Sequence, residues 1–155
     1  MEDYQIIENF LDLSECDSIV DSLNKELTWE FENFGDSGIF LKKNIYENEV
    51  PVLEVYNDLV DLMNKMQIIG LMDIQLNAYL NNTNIELVEK PNKHKFNHGV
   101  GIYYLNTNNG YTLLDNGTKI NSEKNKLLLF QSDQKYYESN TTDSKVRYNL
   151  TFNYM

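Results

Sequence analysis

His94 and His98 are the only histidines in the chain, four residues apart and interleaved with Lys93 and Lys95. On a helix that spacing sets two imidazoles on one face, the arrangement metal sites use. Pro91, Gly99 and Gly101 argue against a helix there. On an extended strand four residues span about 13 Å, too far for two ligands of one metal. The pair therefore predicts no metal centre by itself. Cys16 is the only cysteine, which excludes a disulfide framework and a thiolate zinc site. There is no glycine-rich phosphate loop, Ser–His elbow or Cys-x-x-Cys. The acidic pairs Glu30/Glu32 and Glu47/Glu49 read as solvated faces rather than as paired glycosidase acids.

The elements that must position any site are mostly strands, and they come late. Ile102–Leu105 is β-branched and aromatic, and Asn109-Gly110 and Asp115-Asn116-Gly117 are hairpin signals, since tight turns demand positive φ. Lys126–Phe130 is a short apolar run of the length a buried strand has. In the last strand Val146, Tyr148, Leu150, Phe152 and Tyr154 share one face, and Arg147, Asn149, Thr151 and Asn153 the other. Met72, Ile74, Leu76, Ala78 and Leu80 alternate with Asp73, Gln75, Asn77 and Tyr79, a long half-buried strand. A further strand covers Ile85–Glu89.

Earlier in the chain, a first strand lies within Asp3–Phe10. A helix over about Glu15–Glu26 carries Ile19, Val20, Leu23 and Leu27 and opens on a weak capping box from Ser14 to Asp17. Trp29–Phe34 suits a strand whose aromatics pack in the core, and Gly35–Gly38 breaks it. Pro51 opens a second helix reaching about Met66, with Leu53, Tyr56, Val60 and Met63 as its stripe, widened by Leu59 and Leu62. Two helices before many strands give a mainly-β, α+β domain with helices buttressing an antiparallel sheet pair.

At 155 residues the length prior is one domain, two helices in about 1–70 and the strand-rich part in about 71–155. With 13 basic and 24 acidic residues the net charge is −11, which argues against coating nucleic acid. Neither a signal peptide nor an apolar run of roughly 20 residues is present, so no secretion and no membrane span are expected. The sequons at Asn81, Asn116, Asn140 and Asn149 read as coincidence in an asparagine-rich chain.

The run IYYLNTNNGYTLLDNGTKINSEKNKLLLF and the closing TTDSKVRYNLTFNYM resemble the C-terminal half of the prolyl-4-hydroxylase-like iron(II)/2-oxoglutarate oxygenases, in the version common in marine bacteriophages. The resemblance implies a double-stranded β-helix, a jelly-roll barrel related to the cupins. It also implies iron(II) held by His-x-Asp and a distal His, with an Arg about 11 residues past the distal His binding the far carboxylate of 2-oxoglutarate. Counting back from Arg147 puts the distal position on Tyr136, and the His-x-Asp positions fall on Lys93 and Lys95. Lysines are cations at neutral pH and repel a metal ion. Slipping the register by one would use His94, but its partner is then Phe96; Asp133 and Glu138 are further carboxylates.

Arg147 has two readings. It faces the barrel and forms a cationic pocket for a small anion with Lys93 and Lys95, or it is a surface or salt-bridged arginine, the reading we favour. The expectation is a degenerate, non-catalytic member with no metal and no cofactor. It would be a scaffold binding other proteins as a virion component, found in the virion or host cytoplasm. The alternatives are an iron(II)/2-oxoglutarate hydroxylase with an atypical metal site, and a metal-free dicarboxylate binder.

Overall fold

The computed structural model describes residues 3–25, 30–33 and 39–155. Elements follow in the order β1 (Tyr4–Ile7), α1 (Leu13–Asn24), β2 (Glu30–Asn33), β3 (Ile39–Glu47), β4 (Val50–Pro51), a 3-10 turn (Glu54–Leu59) running into α2 (Val60–Lys65), then β5 (Leu71–Leu80), β6 (Leu87–Lys90), β7 (Gly99–Tyr104), β8 (Tyr111–Leu114), β9 (Lys119–Asn121), β10 (Leu127–Gln131), β11 (Tyr136–Ser139) and β12 (Val146–Tyr154). A large sheet has the order β1-β10-β7-β12-β5-β3-β2, with β4 paired to β3, and a four-stranded sheet has the order β6-β11-β8-β9. All strand pairs are antiparallel. From β6 onward the strands alternate between the sheets, as in a jelly roll, except that β8 and β9 are neighbours in the small sheet, so the mainly-β expectation holds. The first 70 residues also supply β1 to β4 to the large sheet, so they do more than buttress it.

The large sheet is buried on both faces. Outward, Ile74, Leu76, Leu150 and Phe152 pack against Cys16, Ile19 and Leu23 of α1, and Leu59, Leu62 and Met63 of the second helical segment. Inward, Val100, Ile102, Leu128 and Phe130 meet Leu114 and Ile120 of the small sheet. The β12 alternation is as expected from sequence: its apolar face meets the helices. Its polar face looks into the barrel rather than toward water.

Three local expectations are revised. Pro51 does not start a helix, because Val50 and Pro51 pair with Glu47 and Tyr46, and Leu53 is still extended at φ −133°. Helical turns begin only at Glu54; Leu59, Leu62 and Met63 of the expected stripe are buried and Val55 joins them, while Leu53 and Tyr56 are half-buried and Val60 is exposed. Asn109-Gly110 does not close a hairpin, since β7 and β8 belong to different sheets. Asp115-Asn116-Gly117 does, with Gly117 at φ +90° and its N–H donating to Leu114 O at 2.9 Å. Capping of α1 falls on Asp12 without a side-chain bond, not on Ser14. Trp29, Phe34 and Gly35–Gly38 lie outside the described residues, as does the side chain of Phe31.

Asn125 pins the N-terminal segment to the barrel. Its Nδ2 donates to Leu11 O at 2.6 Å, and its Oδ1 accepts from Leu11 N at 2.9 Å and from Tyr103 OH at 2.7 Å. Its φ of +69° is a left-handed conformation that asparagine tolerates better than alanine. Asn125→Ala is expected to destabilise by about 3–5 kcal/mol, from three lost buried bonds plus backbone strain. Asn116→Ala, on an exposed turn where one bond to Thr118 N is lost, is expected to lose under about 1 kcal/mol. Urea midpoints at constant m-value check the contrast.

Candidate functional site

Register assembles a polar ladder on the inward face of the large sheet. On β5 and β12, Asp73 stands opposite Asn153, Gln75 opposite Thr151, Asn77 opposite Asn149, and Tyr79 opposite Arg147. Alternation delivers these residues to one face, and the small sheet then removes the inner ones from water. Asn77 Nδ2 donates to Asn149 Oδ1 at 2.9 Å and to Thr151 Oγ1 at 3.0 Å. Asn77 Oδ1, Asn149 Nδ2, Tyr79 OH and Arg147 Nε are buried without a hydrogen-bond partner among the described residues.

At the open end of the ladder lies a cavity of about 400 Å³, lined by Asp73, Gln75, Lys93, His98, Tyr136 and Asn153 among others. That volume suits a small ligand. His94 Nε2 lies 2.6 Å from Asp73 Oδ2. Asn153 bridges the next step, its Nδ2 donating to Asp73 Oδ1 at 2.7 Å and its Oδ1 lying 3.0 Å from His98 Nε2. The two imidazole rings are 5.0 Å apart and nearly perpendicular. The objection to His94 and His98 assumed a helix or a straight strand. The segment between β6 and β7 is neither, and its bend folds the two rings together. Asp73, absent from the expected set, comes from β5, over 20 residues earlier.

At the closed end, Arg147 is fully buried. Its Nη1 is in close contact with Glu138 Oε2 and donates to Ser139 O at 3.0 Å, and its Nη2 reaches Thr112 Oγ1 at 3.3 Å. Thr112 donates to Glu138 Oε1 at 2.9 Å and bonds Tyr104 OH at 2.6 Å. The Tyr79 and Tyr104 rings lie 5.2 and 5.6 Å from the guanidinium carbon. Burial is the largest single influence on the Arg147 pKa and lowers it, but the Glu138 charge and hydrogen bond, together with Tyr104 and Tyr79, raise it overall. Gly110 matters here for closeness, since a Cβ on it would lie 2.4 Å from Arg147 Cδ.

The proposed cationic pocket of Arg147, Lys93 and Lys95 therefore does not form. Arg147 faces the barrel, as one reading held, yet is salt-bridged, as the other held. Lys93 lines the cavity, whereas the exposed Lys95 does not. Tyr136 also lines the cavity, edge-on to Phe130 at 5.0 Å, and Asp133 is exposed at its rim.

Burial raises the pKa of Tyr79, Tyr103, Tyr104 and Tyr136. Each folded-state value then exceeds the unfolded value near 10. The unfolded chain releases these protons first, so their stabilisation is complete below about pH 10 and is lost as pH rises above it. Phenolate absorbance from these four is expected to appear together with loss of circular dichroism. Titration of all tyrosines near pH 10 in the folded state would contradict this.

No protein-family profile and no curated protein matches the chain. Solved structures do. A Pseudomonas putida prolyl-4-hydroxylase is similar at TM-score 0.75 and 10% identity over 99% of this chain and 92% of that one. A 2OG-Fe(II) oxygenase family oxidoreductase from Burkholderia pseudomallei gives TM-score 0.76 at 12% identity, covering 98% and 84%. The viral collagen prolyl hydroxylase from Paramecium Bursaria Chlorella virus-1 gives 0.67 at 15%, covering 98% and 95%. These neighbours are catalysts, and none is described as a virion component. The expectation of a non-catalytic virion scaffold without cofactors is corrected accordingly. Loss of the metal site, argued from Lys93, Lys95 and Tyr136, is not shown either. Among the described residues no helix is long and apolar enough to cross a membrane. Across its whole length, then, this chain has the fold of the prolyl-4-hydroxylase-like 2-oxoglutarate/iron(II) oxygenases.

Proposed function

We propose that this chain is an oxygenase-type enzyme working at the mouth of its barrel, with His94, His98 and Asp73 as the metal-holding set. The observation that carries the reading is the meeting of two imidazoles and one carboxylate beside a cavity of about 400 Å³. Two histidines and a carboxylate are the donor set that non-haem iron(II) takes, leaving positions open for other ligands. By donor chemistry the residues fit. Among the described residues no three such groups already stand around one point as ligands do. In the structure they are hydrogen-bonded to one another, directly or through Asn153. His94 would hold the metal through Nε2, the nitrogen now bonded to Asp73, with its ring proton on Nδ1.

Iron(II) on such a set supplies the oxidising chemistry of the 2-oxo-acid-dependent oxygenases. The chain's own residues do the rest. Asn153 holds the Asp73 carboxylate and the His98 ring in fixed relation, the orienting role that outer partners play around a metal. Lys93 and Lys135 bring positive charge to a cavity that would receive a carboxylate. Gln75, Thr151 and Tyr136 give the cavity polar contacts to orient what enters.

Anaerobic titration with iron(II), or with manganese(II) as its redox-stable stand-in, tests the reading. One ion is expected to bind, and at 100 times its dissociation constant to stabilise the fold by about 2.7 kcal/mol. His94→Ala and His98→Ala should abolish that gain, and Asn153→Ala should weaken binding about 10–100-fold. Oxygen-dependent release of carbon dioxide from an added 2-oxo acid should follow metal loading. No metal-induced shift, or an undiminished shift in both histidine variants, would sink the assignment.

A further inference from the structure

The closed end of the barrel disagrees with one expectation attached to this fold. The resemblance gives the guanidinium of Arg147 to the far carboxylate of 2-oxoglutarate, but the chain already holds a carboxylate there. Glu138 is 1% exposed and Arg147 0%. Both Glu138 oxygens are engaged, Oε2 by Arg147 and Oε1 by Thr112, whose Oγ1 also bonds Tyr104. The guanidinium carbon lies over the Tyr79 and Tyr104 rings, and Gly110 packs so close to the arginine stem that a Cβ there would clash with it.

Nor does the cavity reach this pair. Its floor includes Gln75 and Thr151 but neither Tyr79 nor Arg147. The fully buried Asn77 and Asn149 stand between. From Thr151 to Arg147 along β12 is four residues, about 13 Å of backbone, and the Asn77–Asn149 pair occupies that interval. An external carboxylate would also have to displace a tethered one, which competes at a high effective concentration. The displaced Glu138 would then be a buried charge without its cation.

We propose that Glu138 is a built-in occupant of the carboxylate position on Arg147. An oxo acid is then read only by its oxo-acid end, from the outer cavity, and a second carboxylate is not selected for. The inference about the oxo acid rests on the oxygenase reading above. The occupancy of Arg147 by Glu138 does not, which lets the two fail separately.

The wild-type chain, with and without manganese(II), is titrated with 2-oxoglutarate and with 2-oxopentanoate, which has the same chain length but no far carboxylate. The two dissociation constants are expected to agree within about threefold, whereas a charge-paired far carboxylate would be worth more than about tenfold. A preference for 2-oxoglutarate above tenfold overturns the proposal. In a second arm, Glu138→Ala is expected to lower the melting midpoint by about 10 °C, and formate or acetate should restore much of it where chloride at equal ionic strength does not. A folded Glu138→Ala protein indifferent to formate and acetate also overturns the proposal. If that variant does not fold, the wild-type comparison still decides. If wild type binds neither oxo acid, the oxygenase reading falls and formate rescue alone decides the role of Glu138.

Discussion

A sheet covered on both faces must satisfy whatever polar groups it carries, and that constraint governs this protein. The helices seal the outer face of β5 and β12 with apolar contacts, so the polar alternation of both strands is driven inward. Each inward residue then needs a partner from the opposing strand or the small sheet, because an unpaired buried group is costly. Most find one. The deepest, Arg147, finds Glu138, and without that carboxylate the closed end would hold an uncompensated charge.

The ladder is graded along its length. At the closed end it is a neutralised ion pair among tyrosines. In the middle it is a pair of amides, Asn77 and Asn149, with donor and acceptor capacity left over. At the open end it reaches groups that can ligate or exchange protons: Asp73, His98 and, through Asp73, His94. The proposed chemistry is assigned to that end, where the cavity lies against Asp73, His98 and Asn153. The closed end is a sealed ion pair, at the arginine to which the resemblance gives an anion.

Much of the fold was legible because strand alternation is a strictly local signal. The apolar set from Val146 to Tyr154 and the set from Met72 to Leu80 each predicted their buried face, and Gly117 predicted its hairpin from the positive φ that turn requires. The second helix and the Asn109-Gly110 turn depart from their local signals for one shared reason. Both lie where a neighbouring strand decides the conformation: Pro51 is held by Tyr46, and Gly110 is set by passing over Arg147.

What the sequence determined alone was the class of architecture, the two-faced strands and the exclusion of thiolate, disulfide and phosphate-loop chemistry, since these depend on residue type and short spacing. It could not determine the site. His94, His98 and Asp73 come from a bent loop and a strand far earlier in the chain, and only antiparallel register puts Asn153 opposite Asp73 to join them. Whether Arg147 was free or paired was equally out of reach. That depended on β11 folding back so that Glu138, nine residues before it, points into the same sealed space.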